Sequence, residues 1–127
     1  MHKLTGILVF GLIVLGSCSG GSSGIQMREQ VFTPSTFTAK AGSTITFTND
    51  SDQAHTVTAL EDELPDGAEY FASGGFASES EARDDVGAGL IDPGEDFDVT
   101  LSEPGTYSYV CLPHESQGMR GTIIVEE

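Results

Sequence analysis

Residues 105–119 read GTYSYVCLPHESQGM. Tyr107, Tyr109 and Cys111 share one parity, and Thr106, Ser108 and Val110 share the other. Successive strand side chains point to opposite faces, so this stretch reads as a strand with Tyr107, Tyr109 and Cys111 turned inward. The strand runs into a loop stiffened by Pro113. Gly118 is expected to let the backbone approach closely just before Met119. A thiol, an imidazole (His114) and a thioether (Met119) therefore share one tight turn between two strands.

The same period of two recurs outward from there. Phe37 and Ala39 alternate with threonines before Ala41-Gly42, and Ile45 and Phe47 alternate with threonines before Asn49-Asp50. Phe97, Val99 and Leu101 alternate with Asp98 and Thr100 before Glu103-Pro104-Gly105, and Ile123 and Val125 close the chain. β-Branched and aromatic residues in short runs between turn residues predict an all-β, antiparallel Greek-key sandwich of about eight strands. A further strand is expected from His55, with His55, Val57 and Ala59 inward and Thr56 and Thr58 outward. The segment from Glu61 to Gly89 is acidic and lacks that alternation. It reads as a long connection with a solvated charged face and a short helix near Ser78 to Asp84.

The 127 residues suffice for one domain that buries about two thirds of its unfolded surface and needs no disulfide. Residues 1–17 have the architecture of a lipoprotein signal peptide: a short basic start, then an apolar run from Leu4 to Leu15. That run is shorter than the about 20 residues of a membrane-spanning helix. Leu15-Gly16-Ser17-Cys18 resembles the lipobox at which prokaryotic lipoproteins are cut and lipidated on cysteine. Residues 18–24 then form the lipidated Cys18 and a flexible Gly/Ser tether, and 25–127 the globular domain. The expected location is the outer face of the cell membrane, held by the N-terminal lipid.

All 20 acids lie after the signal, where only Arg28, Lys40, Arg83 and Arg120 oppose them, giving −16. Such a charge argues against nucleic acid or an anionic lipid surface as direct partners. Its even spread, with few lysines, resembles the carboxylated surfaces of extreme halophiles. The acidic connection is expected to serve hydration in brine rather than partner choice.

Lipidation would leave Cys111 as the lone thiol in an oxidising compartment. Shared parity brings His55 to the same interior as Cys111, so the candidate metal set is His55, Cys111, His114 and Met119. Two imidazoles and a thiolate are soft-to-borderline ligands, and a long axial methionine suits copper and disfavours zinc. Coordination and burial would also protect the thiol from oxidation. A Cys111–His114 hydrolytic dyad lacks an orienting third group and leaves Met119 idle. A multicopper enzyme needs more histidines than the two, His55 and His114, that follow the signal.

Cys-x2-His-x4-Met after Gly105-Thr106-Tyr107-Ser108-Tyr109 resembles the C-terminal half of the plastocyanin and pseudoazurin type of cupredoxin. Phe32-Thr33-Pro34, Lys40-Ala41-Gly42-Ser43-Thr44-Ile45 and Thr48-Asn49 leading to His55-Thr56-Val57 resemble the family's approach to its first copper histidine. With the lipobox and the acidity, the chain is most similar to the halocyanins, membrane-anchored blue copper proteins of haloarchaea. The resemblance implies one type 1 copper cycling between Cu(I) and Cu(II), held by His55, Cys111 and His114 with Met119 as weak axial ligand. It implies a monomeric electron carrier, not an enzyme, working between a redox protein donor and acceptor at the membrane. Contact would run through Leu112, Pro113 and the edge of His114. A copper-holding or copper-delivery lipoprotein would use the same ligands. The chain departs from the family at Thr56, where Asn often stands, and at Val110, where plastocyanins carry Tyr.

Overall fold

The computed structural model describes residues 24–127. The expected signal peptide, Cys18 and the expected tether up to residue 23 lie outside the described residues, while Gly24, expected as the tether's last residue, is already in a strand. Eight strands form two four-stranded sheets. The first has the order β2 (Val31–Thr33), β1 (Gly24–Arg28), β4 (Thr44–Asn49), β6 (Asp96–Thr100). The second has the order β3 (Thr36–Lys40), β8 (Arg120–Glu126), β7 (Gly105–Val110), β5 (Thr58–Ala59). Every connection from β2 through to β7 passes from one sheet to the other.

The sandwich is as expected, but its sheets are mixed rather than purely antiparallel. β1 runs parallel to β4, and β3 parallel to β8. Side-chain alternation has the same period in either orientation, so sequence pattern does not distinguish them. β1 and β2 were not among the expected strands, although Ile25 and Met27 of β1 alternate with Gln26 and Arg28 and are both buried.

The inward parity of the other strands holds. Ile45 and Phe47 of β4, Tyr107 and Tyr109 of β7, and Ile123 and Val125 of β8 are all buried. Tyr109 sits at the centre, with Phe32 and Phe47 edge-on to it at centroid distances of 4.7 and 5.2 Å. Such T-shaped contacts place the positive ring edge on the negative face. Gly121 of β8 lies opposite Tyr109, and a methyl group there would come within 2.2 Å of the phenol oxygen. A glycine is therefore required by close approach at this position.

The outer face of β5 departs from expectation. Thr56 and Thr58 are buried, not solvated. The acidic connection folds back over them. Ala72 bridges Thr58, Ala59 N–H donates to Phe71 O at 3.1 Å, and Ser73 N–H donates to Val57 O at 2.7 Å. Ser73 Oγ accepts from Val57 N–H and donates to Gly89 O. Helix α1 (Glu79–Asp84) lies against β5, starts where the sequence placed it, and is capped by Ser78 Oγ accepting from Glu81 N–H.

Nor are all acids of the connection merely solvated. Glu61 N–H donates to Glu79 Oε1 at 2.9 Å, and Glu79 N–H donates to Glu61 Oε1 at 2.6 Å. Each carboxylate thus satisfies the first free amide of the other's helical turn. Asp62, Asp66, Asp84 and Asp85 do remain exposed.

The Tyr109 hydroxyl is buried without a hydrogen-bond partner among the described residues. A buried unpaired hydroxyl is costly, so Tyr109→Phe is expected to leave stability unchanged or raise it by about 1 kcal/mol. Gly121→Ala, which forces its methyl against the ring, is expected to lower it by about 1–3 kcal/mol. Thermal melts of the two variants check both signs.

Candidate metal centre

Three of the four nominated residues meet at one end of the sandwich. A ligand atom from each of His55, Cys111 and His114 lies within 4.8 Å of the others. Cys111 Sγ is 3.6 Å from His55 Nδ1 and 3.4 Å from His114 Nδ1. The two imidazole rings are tilted by 57° with centroids 4.9 Å apart.

Each residue reaches the site by a different route. Cys111 directly follows β7 and continues its inward parity, with 0% exposure. His55 precedes β5 and is held in an isolated bridge to Ile91, its N–H donating to Ile91 O and its carbonyl accepting from Ile91 N–H. It too is 0% exposed. His114 lies in the short helical turns of Leu112–Gln117, where its backbone is a kink (φ −122°, ψ 16°), and its ring is partly exposed.

Met119 is brought in by backbone bonds. Cys111 N–H donates to Met119 O at 2.9 Å, and Met119 N–H donates to His114 O at 3.2 Å. Met119 is 1% exposed. Gly118 makes the return with φ 81°, a left-handed conformation that favours glycine. The expected close approach is absent there, since a Cβ on Gly118 would meet nothing within 4 Å. The glycine is needed for its torsion, not for space.

The sulfur is supported from the His55 side. Thr56 N–H points to Cys111 Sγ at 3.4 Å, and Thr56 Oγ1 accepts from Leu112 N–H at 2.8 Å. Thr56 Oγ1 and Thr58 Oγ1 lie 3.1 Å apart. The hydroxyl of Thr56 thus braces the cysteine loop.

Ser51 completes the site, and sequence reasoning missed it. Its Oγ lies 2.8 Å from His55 Nε2. The single hydroxyl hydrogen is engaged by Asn49 Oδ1 at 2.7 Å, with Gln53 O at 3.1 Å as a second acceptor. Ser51 Oγ must then accept from His55 Nε2–H, which leaves the Nδ1 lone pair facing the sulfur. Asn49 anchors Ser51 by donating through Nδ2 to Ile91 O and Gln53 O. The signal available in the sequence was Ser51 four residues before His55, which alone marks nothing.

Burial shifts the protonation of His55 and Cys111. His55 is lowered from the usual imidazole range, first by desolvation and then by repulsion from His114. It therefore stays neutral, as a ligand must. Burial pushes the Cys111 thiol up, against hydrogen bonds from Thr56 and His114 that pull it down. A metal binding there would have to displace the thiol proton. Two imidazoles, a thiol and a thioether fit a soft, low-coordinate metal.

Residues 20–126 match the model of the copper binding proteins, plastocyanin/azurin family. Plastocyanin from Lactuca sativa is 40% identical over 113 residues, covering 89% of this chain and 97% of that protein. The oxidised plastocyanin of Dryopteris crassirhizoma superposes with a TM-score of 0.58 at 28% identity, covering 81% of this chain and 99% of the fern protein. A purple cupredoxin from Nitrosopumilus maritimus shares the fold, with a TM-score of 0.59 at 19% identity, over 81% of this chain and 98% of that one. In this setting His55, Cys111, His114 and Met119 are positioned to form a type 1 copper site.

Removing the Ser51 hydroxyl leaves His55 Nε2–H without its acceptor. Ser51→Ala is expected to weaken copper binding about 10-fold or more, the usual effect of deleting such a partner. Ser51→Thr, which keeps the hydroxyl, should restore it. Copper titration of both variants is the check.

Proposed function

The chain belongs to the plastocyanin/azurin family of copper-binding proteins, and we propose that it is a blue-copper carrier of single electrons between redox proteins at a membrane. The observation that carries this reading is the thiol of Cys111, wholly buried and flanked by two imidazole nitrogens at 3.4 and 3.6 Å. Copper supplies the one-electron couple, Cu(I)/Cu(II).

The chain does the rest by holding still. Donors already gathered without metal need little rearrangement when the charge at their centre changes. His55 is fixed at both ring nitrogens, by Ser51 on one side and the site on the other. Cys111 is fixed by Thr56 and Met119 through backbone bonds. Water is excluded from the sulfur by the sandwich interior. Hydrogen bonding from Thr56 to that sulfur, and the axial Met119, would tune the potential.

Electrons enter and leave at the exposed edge of His114, with Leu112 and Pro113 as the contact patch for donor and acceptor. Cys111 has no exposed surface on which a substrate could be attacked, which weighs against a Cys111–His114 hydrolase. No bond of a substrate is made or broken in this reading, so the protein is not an enzyme.

The anchored branch of the family, the halocyanins, is the reading favoured by residues 1–24 and by the acidity. Residues 1–17 act as the signal, Cys18 bears the lipid, and the tether carries the domain of 25–127 away from the outer face of the membrane. The charge of −16 keeps a monomer hydrated in brine and turns it from nucleic acid.

Addition of Cu(II) to the full chain is expected to give an intense blue thiolate-to-copper band that dithionite bleaches reversibly and that Cys111→Ser abolishes. A colourless protein, or one preferring zinc, would overturn the carrier reading. Copper bound without reversible cycling would favour a holding or delivery role. Cys18→Ser is expected to move the protein from the membrane to the soluble fraction, as fractionation of producing cells would show.

A further inference from the structure

The loop that carries His114 is closed by backbone bonds within the turn but has little side-chain packing on its outer side. Its backbone kinks at His114 and turns left-handed at Gly118. Glu115, Ser116, Gln117 and Gly118 are exposed, so little apolar packing fixes them. Besides the bond from Leu112 N–H to Thr56 Oγ1, one long-range side-chain pairing reaches the loop among the described residues. Arg83 of α1 donates through Nη1 to Glu115 Oε2 at 2.7 Å and through Nη2 to Glu115 Oε1 at 3.0 Å. Its Nε donates to Glu79 Oε2 at 2.8 Å.

We propose that Arg83 is a positioning residue for the copper site, clamping the His114 loop to the acidic connection through Glu115. The clamp has a fixed far end. Glu79 is interlocked with Glu61 by reciprocal backbone bonds, and Glu61 follows β5, the strand that begins after His55. The line Glu61–Glu79–Arg83–Glu115 therefore joins the segment of one imidazole to the loop of the other. It runs over the outside of the sandwich, separate from the buried contacts at Thr56.

An isolated exposed ion pair contributes little. This one is forked, shares its cation between two carboxylates, and spans elements far apart in sequence. Forked geometry is the arginine-specific part, because a lysine ammonium carries the charge without the planar pair of donors. The pairing also neutralises Glu115 beside the exposed ligand. Pure charge compensation and positioning thus predict different behaviour for Arg83→Lys.

The inference rests on the copper reading for its functional half only, and the first measurement needs no metal. In the metal-free full chain, amide hydrogen exchange at Gly118 and Met119, which donate to Glu115 and His114 carbonyls, reports on the loop. The His55 amide, bonded to Ile91 O, is the internal control. Arg83→Gln, Arg83→Lys and Glu115→Gln are each expected to speed loop exchange about fivefold and to leave His55 unchanged. With copper bound, release to a chelator should quicken by a similar factor in both Arg83 variants. Unchanged loop exchange in Arg83→Gln would overturn the clamp. So would Arg83→Lys behaving as wild type in both measurements, which would reduce Arg83 to a charge. Failure to form a blue site would sink the copper reading and leave the metal-free result to judge the clamp alone.

Discussion

Two hydrogen bonds from one threonine tie the site together. Thr56 N–H meets Cys111 Sγ, and Thr56 Oγ1 receives Leu112 N–H. Through them the segment bearing the first imidazole is fixed to the segment bearing the thiol, although the two are far apart along the chain. The pairing of Thr58 with Val110 sets their register. A slip of one residue there would turn every side chain to the opposite face and separate His55 from Cys111. The short strand β5 thus matters more for the centre than its length suggests.

Burial of polar groups is costly unless each finds a partner. Around the centre that demand is met in sequence: Asn49 holds Ser51, Ser51 holds His55, and Thr56 holds both the sulfur and the following amide. The result is a set of donors ordered before any metal arrives. The acidic connection adds to this order. It covers the outer face of β5, closes that edge with Phe71–Ser73, and reaches the His114 loop through Arg83. A stretch that composition marks as solvated charge is thereby a structural roof as well.

Much of the sandwich was legible in the sequence. Strands β3, β4, β6 and β8 announced themselves because each has one face in the core and one toward water, which imposes a period of two, and β7 did so through Tyr107 and Tyr109 although Ser108 and Val110 are buried as well. β1 has the same alternation in Ile25 and Met27 but was not among the expected strands, and β2, three residues long, is too short to show a period. Thr56 and Thr58 looked outward by parity and do point away from the interior side of His55 and Val57. Their burial could not be read, because it depends on where residues 71–89 fold back. The helix near Ser78 lies where the sequence placed it, and the structure shows it capped by Ser78 with an acidic first turn.

The sequence by itself determined the ligand types, the spacing from Cys111 to Met119 and the inward parity of Cys111. Those follow from torsions and alternation over a few residues, where neighbours along the chain are neighbours in space. Only the tertiary structure decided that His55 presents Nδ1 because Ser51 takes its Nε2–H, and that the Thr56 hydroxyl braces Leu112. It also decided that Gly121 must be bare to admit Tyr109, and that Arg83 grips Glu115. Each of these is a contact between segments that meet only after the sheets have paired. Their distances are set by strand register and by the path of the long connection, and no local rule of sequence contains either.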